Sequence, residues 1–281
     1  MIHIISGMIS DEIKIRYIML TMMKGLGPVA QNALLDVCGN INGCFEAGYD
    51  DMVFAENAKM IGKKKISSFV LQREDKGLRS QAEELLETSK SLGIDVVTRE
   101  DISFPDRFKG IKDMPAVLYT KGCLKINDYE KSAGIVGARR CTAEGKGKAI
   151  ELALAAAGRG TAVISGMAKG IDSYAHTAAV KSQGYTIAVL GNGVDICYPK
   201  EHDRLYEEIA RSGCVLSEYP PGTAPREYNF PRRNRIIAAL SDTLYVVDAG
   251  RHSGTESTIG NSRKYGREVV IVRALSYVNA V

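Results

Sequence analysis

The sequence contains no tryptophan, and Phe, Tyr and Trp together make up only 7% of its 281 residues. Its six cysteines (Cys38, Cys44, Cys123, Cys141, Cys197, Cys214) include no C-x-x-C pair, and its four histidines do not cluster. That spacing argues against a disulfide framework and against a structural zinc site, and it predicts no metal and no cofactor. No apolar run approaches the roughly 18 residues that a membrane-spanning helix needs. The opening "MIHIISGMISDEIK" lacks a basic region followed by a full apolar stretch, so no signal peptide is expected and the sequence predicts a cytoplasmic protein without membrane contact.

Charge is present in near balance, with a net value of +4, but it is unevenly placed. Between Lys131 and Asp172 seven basic residues face three acidic ones, and "PREYNFPRRNR" sets Arg226, Arg232, Arg233 and Arg235 against Glu227 alone. Two concentrated basic patches point to an anionic partner; a solvated basic face is the plainer alternative.

Two kinds of sequence follow one another along the chain. Residues 1–92 form short periodic segments such as "PVAQNALLDVC" and "LRSQAEELLETSKSL", separated by glycine and asparagine breaks, and this predicts a small all-helical domain. Within it, "KGLGPVAQNALL" has a tight glycine turn with Pro28 at the first position of the next helix, similar to a helix-hairpin-helix turn. Residues 93–131 read as an irregular lead-in to the second domain, 93–281. From Ser132 onward, near-continuous apolar strands ("AGIVG", "TAVIS", "YTIAVLG", "CVLSE", "TLYVVDAG", "REVVIV") alternate with amphipathic helices. The expected fold class is therefore α/β: a doubly wound, mostly parallel sheet preceded by the helical domain. In "YNFPRRNRII", Pro231 is expected to block regular structure, with the helix starting after it.

In such a fold the ligand surface lies at the carboxyl ends of the strands. There the sequence places Gly137, Arg139 and Arg140 ("GARR"), then Ser165, Gly166, Lys169 and Gly170 ("SGMAKG"). It adds Arg226, Phe230, Arg232, Arg233, Asn234 and Arg235 from the arginine-rich segment, and Ser253 and Gly254 from "RHSG". Glycines, hydroxyls and cations on one rim suit a phosphate-rich ligand held by backbone amides and Arg or Lys. Phe230 either stacks on an unpaired base or plugs the core beneath its loop. Arg235, one step before two isoleucines, either faces the ligand or braces neighbouring loops.

Enzyme motifs fit poorly. "GKGK" is followed by alanine and lacks the hydroxyl of a P-loop. "GNGVDI" puts Ile196 where a dinucleotide fingerprint needs its third glycine. No serine lies in G-x-S-x-G. Asp172 and His176, four residues apart on a helix, suit an acid/base pair, but they lack a third group. Structural roles are the simpler reading: Asp172 holding loop amides, His176 a partly buried side chain.

The segments "IVGARR", "VISGMAKGIDSYAH", "TIAVLGNGVDICYP", "LSEYPPG", "FPRRNRIIAALSDTLYVVDAG" and the "SG" of Ser253-Gly254 resemble, in order and spacing, the DNA processing protein A family (DprA, also called Smf). The resemblance covers roughly Phe104 to Val272. It implies an extended Rossmann-like domain that binds single-stranded DNA without sequence preference, protects it during natural transformation and helps load the RecA recombinase. It also implies a homodimer, no turnover chemistry, and a sterile-alpha-motif-like helical domain ahead of the Rossmann-like one. The phosphate contacts it implies fall on Arg139, Lys169, Arg232, Arg233 and Arg235, with Gly137, Gly166, Gly170 and Gly254 bringing amides close.

The sequence departs from the family's pattern at Ala138, where serine is usual, and after "SG", where "TESTIGNSRKYG" places Glu256 and Asn261 near the rim. No C-terminal winged-helix domain is expected. The competing reading is a nucleotide-binding or nucleotide-processing protein similar to phosphoribohydrolases, with Glu256 as the catalytic or ribose-binding residue.

Overall fold

A computed structural model describes residues 9–54, 61–248 and 254–272. The chain divides into two compact units, Met1–Phe104 with Gly110–Tyr119, and Pro105–Lys109 with Thr120–Val281.

Among the described residues the first unit contains six helices: α1 (Asp11–Met22), α2 (Pro28–Cys38), α3 (Ile41–Glu46), α4 (Tyr49–Phe54), α5 (Lys63–Arg73) and α6 (Lys76–Ser91). Ser10 starts α1 by accepting a hydrogen bond from the Ile13 amide at 3.4 Å, and Asp75 caps α6 through the amides of Gly77 and Leu78. Gly25, at φ 79°, turns the chain between α1 and α2, and Pro28 takes the first helical position. The turn is pinned from inside, because Gln31 Nε2 donates to the Leu26 carbonyl at 2.8 Å. Tyr17, Ile18, Leu20, Leu34, Ile66 and Phe69 form the buried centre.

This unit is larger than the helices alone. It includes strand β1 (Asp95–Thr98) and Gly110–Tyr119, which the sequence placed in the lead-in to the second domain. Polar ties explain this. Glu100 Oε1 accepts from Tyr17 Oη at 3.0 Å and from the Ile41 amide at 2.9 Å. Asn32 Nδ2 donates to the Met114 carbonyl at 2.7 Å. Strand β2 (Val117–Gly122) crosses the division between the units.

The second unit carries β3 (Ser132–Gly137), α7 (Ala143–Gly158), β4 (Ala162–Ser165), α8 (Ile171–Lys181), β5 (Thr186–Val189), α9 (Asp203–Ser212), β6 (Cys214–Ser217), α10 (Asn229–Leu240), β7 (Thr243–Val247), α11 (Glu256–Lys264) and β8 (Glu268–Val272). Its strands lie in the order β6-β5-β4-β3-β7-β8, and every neighbouring pair is parallel. β3 to β6 are buried along nearly their whole length, as strands covered on both faces should be. α7 packs on α8 and α8 on α9, while α10 packs on α11. With right-handed crossovers, the first three helices cover one face and the last two the other. The α/β, Rossmann-like expectation is met.

One local expectation fails. Pro231 lies within the first turn of α10, which begins at Asn229. Amides of the first turn have no intrahelical acceptor, so a proline there removes nothing the helix uses. The proline therefore starts the helix and does not delay it.

The strand order also sets where a ligand can bind. Connections leave β3 towards β6 on one side, then the chain returns to β7 on the other side of β3. This reversal opens a crevice beyond the carboxyl ends of β3 and β7.

Asp242, just before β7, ties the edge of this unit together. Its Oδ2 accepts from Arg107 Nη2 at 3.0 Å, from the Ser132 amide at 2.8 Å and from Ser132 Oγ at 2.9 Å. Burial raises its pKa, but the bonds from Arg107 and Ser132 prevail and hold it below the usual carboxylate range. Asp242→Ala is expected to destabilise the protein by about 2–3 kcal/mol, the range for losing charge-assisted hydrogen bonds at a part-buried site. Urea unfolding measures this, and a loss below about 0.5 kcal/mol would contradict the tie's importance.

Candidate nucleic-acid interface

The loop between β4 and α8, "SGMAKG", has an unusual backbone. Met167 is fully buried yet adopts φ 61°, a conformation that costs a non-glycine residue energy and persists only when the surroundings fix it. The surroundings do so. The carboxylate of Asp172 accepts from the Gly166 amide at 3.0 Å and from the Ala168 amide at 3.4 Å. His202 Nδ1 donates to the Met167 carbonyl at 3.1 Å. Gly170, at φ 79°, closes the loop where the chain passes so close to the carbonyls of Ala138 and Arg139 that a Cβ would collide with them.

Arg233 braces this loop from the opposite side. It sits on α10, 5% exposed, and its Nη1 donates to the Gly166 carbonyl at 2.9 Å and to the Val189 carbonyl. Its Nε donates to Asn234 Oδ1 at 3.1 Å, and Asn234 Nδ2 in turn donates to the Gly254 carbonyl at 3.1 Å and to Ser257 Oγ at 2.9 Å. A single buried cation thus connects the ends of β4 and β5, α10 and the start of α11. Burial draws its pKa down to about 10, opposed by the attraction of Asp172 and helped by repulsion from Arg139. Burial also raises the pKa of Asp172, and the Arg233 charge and the two loop amides pull it back.

The structure places the sequence candidates in three environments. Arg139, Arg140, Arg226 and Arg232 are exposed, as is Gly254. Lys169 is also exposed, and its Nζ pairs with Glu201 Oε1 at 2.5 Å. The remaining candidates are turned inward. Ser165 is fully buried, its Oγ donating to the Ile135 carbonyl at 2.6 Å, and the Gly166 amide is taken by Asp172. Arg235 makes a two-pronged ion pair with Glu218, at 2.6 and 2.7 Å, with both side chains less than 15% exposed. Gly137 ends β3 where a Cβ would meet the Val247 carbonyl, so its role is close packing of the strand end. Ser253 lies outside the described residues.

His176 is fully buried, with Nδ1 2.8 Å from Thr186 Oγ1. Thr186 gives its own hydroxyl proton to the Val163 carbonyl, so the ring nitrogen is the donor. Burial, with repulsion from His202 and Arg233, pushes its pKa down to about 3.

These elements enclose a cleft of about 620 Å³. Gly137, Ala138 and Arg139 line it after β3, and Gly254, Thr255 and Thr258 line it at the start of α11. The buried Arg233 and Asn234 line it as well, with the exposed Glu227 and Tyr198 and the half-buried Phe230. It occupies the crevice that the strand reversal predicts, and its volume suits a ligand of nucleotide size. Phe230 neither hangs free nor plugs the core. It is half-buried and stacks on Tyr198 with ring centroids 5.5 Å apart at 29°, while the Arg233 guanidinium carbon lies 5.9 Å from its centroid. Tyr198 remains 45% exposed. Sequence reasoning did not single out Tyr198 or Glu227, although "ICYP" follows β5 on the same rim. Glu256 opens α11 but is not among the residues lining the cleft. Among the described residues no group of three His, Cys, Asp or Glu side chains is placed to hold a metal.

The model of the DNA recombination-mediator protein A family matches residues 95–279. The chain belongs to that family. It is 34% identical to the DNA processing protein DprA of Bacillus subtilis over 75% of this chain and 71% of that protein. It is 40% identical to the DprA of Streptococcus pneumoniae over 61% of this chain and 60% of that one. The crystal structure of Streptococcus pneumoniae DprA superposes with a TM-score of 0.76, covering 94% of this chain and 88% of the other at 31% identity. The DNA processing protein A of Helicobacter pylori, described as having a unique single-stranded DNA binding mode, matches at TM-score 0.60 and 31% identity over 65% of this chain and 82% of its own. In this chain that fold sets glycine loops and Arg139 around one cleft. No helix among the described residues is long and apolar enough to cross a membrane.

Two outcomes follow for variants of this chain. Because the folded pKa of His176 lies near 3 and the unfolded value near 6.5, the unfolded state takes up the proton first as pH falls. Wild-type stability should therefore drop between pH 6.5 and about 3, at up to about 1.4 kcal/mol per pH unit from this residue. In His176→Gln the drop should be shallower over the same window. Unfolding curves of equal slope for the two proteins would contradict this. Arg233→Ala should destabilise by about 3–5 kcal/mol, since it strands Asp172 and two buried carbonyls, whereas Arg139→Ala should leave the unfolding midpoint in place. Equal midpoints for the two variants would show that Arg233 is not the brace described.

Proposed function

We propose that this DprA-family chain binds single-stranded DNA along the carboxyl rim of its second unit, with a nucleotide seated in the cleft. The observation that carries this reading is the pairing, in one cleft, of an exposed aromatic ledge (Tyr198 on Phe230) with the exposed cation Arg139. Single-strand binders combine these two features: cations follow the phosphates, and aromatic rings stack bases without regard to sequence. Arg139 lines the cleft with nothing buried about it. Lys169 already holds an anion, the Glu201 carboxylate, which a phosphate would replace. Arg140, Arg226 and Arg232 extend the positive surface beyond the cleft, so the arrangement suits a polymer better than a lone nucleotide.

In this reading Arg139, Arg140, Lys169, Arg226 and Arg232 contact phosphates and Phe230 supports the stacked base. Arg233, Asn234 and Arg235 hold the loops in place, as Ser165, Gly166, Asp172 and His176 do. Gly137 and Gly170 let the loops approach one another, and Gly254 opens the far edge. The protein acts by binding, without turnover, in the cytoplasm. By family resemblance it protects incoming DNA, assists RecA loading and works as a homodimer. The phosphoribohydrolase-like alternative has less support, since Glu256 is not among the residues that line the cleft.

Filter binding of oligo-dT at several salt concentrations tests the proposal. Wild-type affinity should fall linearly on a log-log plot, with a slope of about −0.7 per phosphate contacted. Arg139→Ala with Lys169→Ala should weaken binding to unrelated sequences alike and flatten that slope by about 1.4. An unchanged slope in the double variant would move the strand elsewhere on the protein.

A further inference from the structure

The cleft is not uniformly cationic. Glu227, two residues before α10, lines it together with Tyr198, Phe230, Arg139 and Arg233. Glu227 is exposed, and no hydrogen bond or ion pair engages its carboxylate among the described residues. In a site that gathers phosphates, an unpaired carboxylate repels the backbone of the ligand and so weakens binding in general. It becomes favourable only where the ligand offers hydrogen-bond donors. Phosphates offer none; base edges do.

We propose that Glu227 selects guanine at the one nucleotide seated in the cleft. The inference rests on the single-stranded DNA reading above and adds a base preference to it. An ionised carboxylate is acceptor-only and has two oxygens side by side. Guanine alone presents two adjacent donors, N1–H and N2–H, on its Watson–Crick edge, and so pairs with both oxygens at once. Thymine presents one N3–H flanked by two carbonyl oxygens, which repel the carboxylate. Cytosine and adenine each set a single amine beside a ring acceptor. In this proposal Arg139 holds the phosphate, the Tyr198 ring carries the base, and Glu227 meets the base edge. Strand binding therefore remains general, and the preference is confined to one position per protein.

Fluorescence anisotropy with labelled 12-mers tests this: oligo-dT itself, and the same strand with one central deoxyguanosine, deoxyinosine or deoxycytidine. Inosine keeps N1–H but lacks the 2-amino group. Wild type should bind the guanine strand about fivefold tighter than the thymine and cytosine strands, with inosine between them. In both Glu227→Ala and Glu227→Gln the four strands should bind alike, and circular dichroism checks that each variant is folded. If wild type binds all four strands equally, the base preference is wrong while the single-stranded DNA reading stands. If the guanine preference survives in both variants, Glu227 is not its source. If wild type binds none of the strands at low salt, the parent reading fails and this one with it.

Discussion

The second unit is organised around one buried guanidinium. Arg233 has left water to donate to the carbonyls of Gly166 and Val189, close to the buried Asp172 carboxylate. An isolated charge at this depth would be prohibitively unfavourable, so the attraction of the nearby carboxylate and the bonded carbonyls are conditions for the fold and not additions to it. Asp172 in turn holds the amides of Gly166 and Ala168, and this fixes the loop in which Met167 keeps a positive φ. The buried charges therefore set the shape of a loop whose one outward cation, Lys169, pairs with Glu201 at the surface. The inner charges act as frame for the outer ones.

This division separates two classes of basic residue that look identical in a linear sequence. "PRRNR" contains three arginines with three different fates. Arg232 is exposed, Arg233 is buried among carbonyls, and Arg235 is locked to Glu218 at 2.6 Å. Helical geometry is responsible. Neighbouring positions on α10 point roughly 100° apart, so consecutive residues face solvent, the strand ends and the adjoining loop in turn. The electrostatic character of the rim comes from fewer cations than composition suggests, and the stability of the rim depends on the rest.

Much of the fold was legible beforehand because its signals are local. Helices α2 and α7 coincide with the periodic segments "PVAQNALLDVC" and "AEGKGKAIELALAAAG", and the strands of the second unit fall within the apolar runs read as strands. Pattern misled at Pro231, where a residue that breaks a helix interior is harmless in a first turn. The chain between the domains was harder still. β1 and Gly110–Tyr119 pack with the helices through Glu100 and Asn32, contacts between residues far apart in sequence that no periodicity records. At the site, glycines and arginines were visible as types, but their burial was not. Tyr198 escaped attention because its importance comes from stacking on Phe230, 32 positions later, a relation only the folded chain creates.

The central claim is that the strand runs through the cleft of the second unit and stacks on Tyr198. Photo-crosslinking measures this directly, using oligo-dT with 4-thiothymidine at successive positions, followed by peptide mass spectrometry. The account predicts adducts concentrated in the peptides that carry Tyr198 and Phe230, lost when salt releases the strand. Adducts confined to the helices of the first unit, with none at these two aromatics, would contradict it.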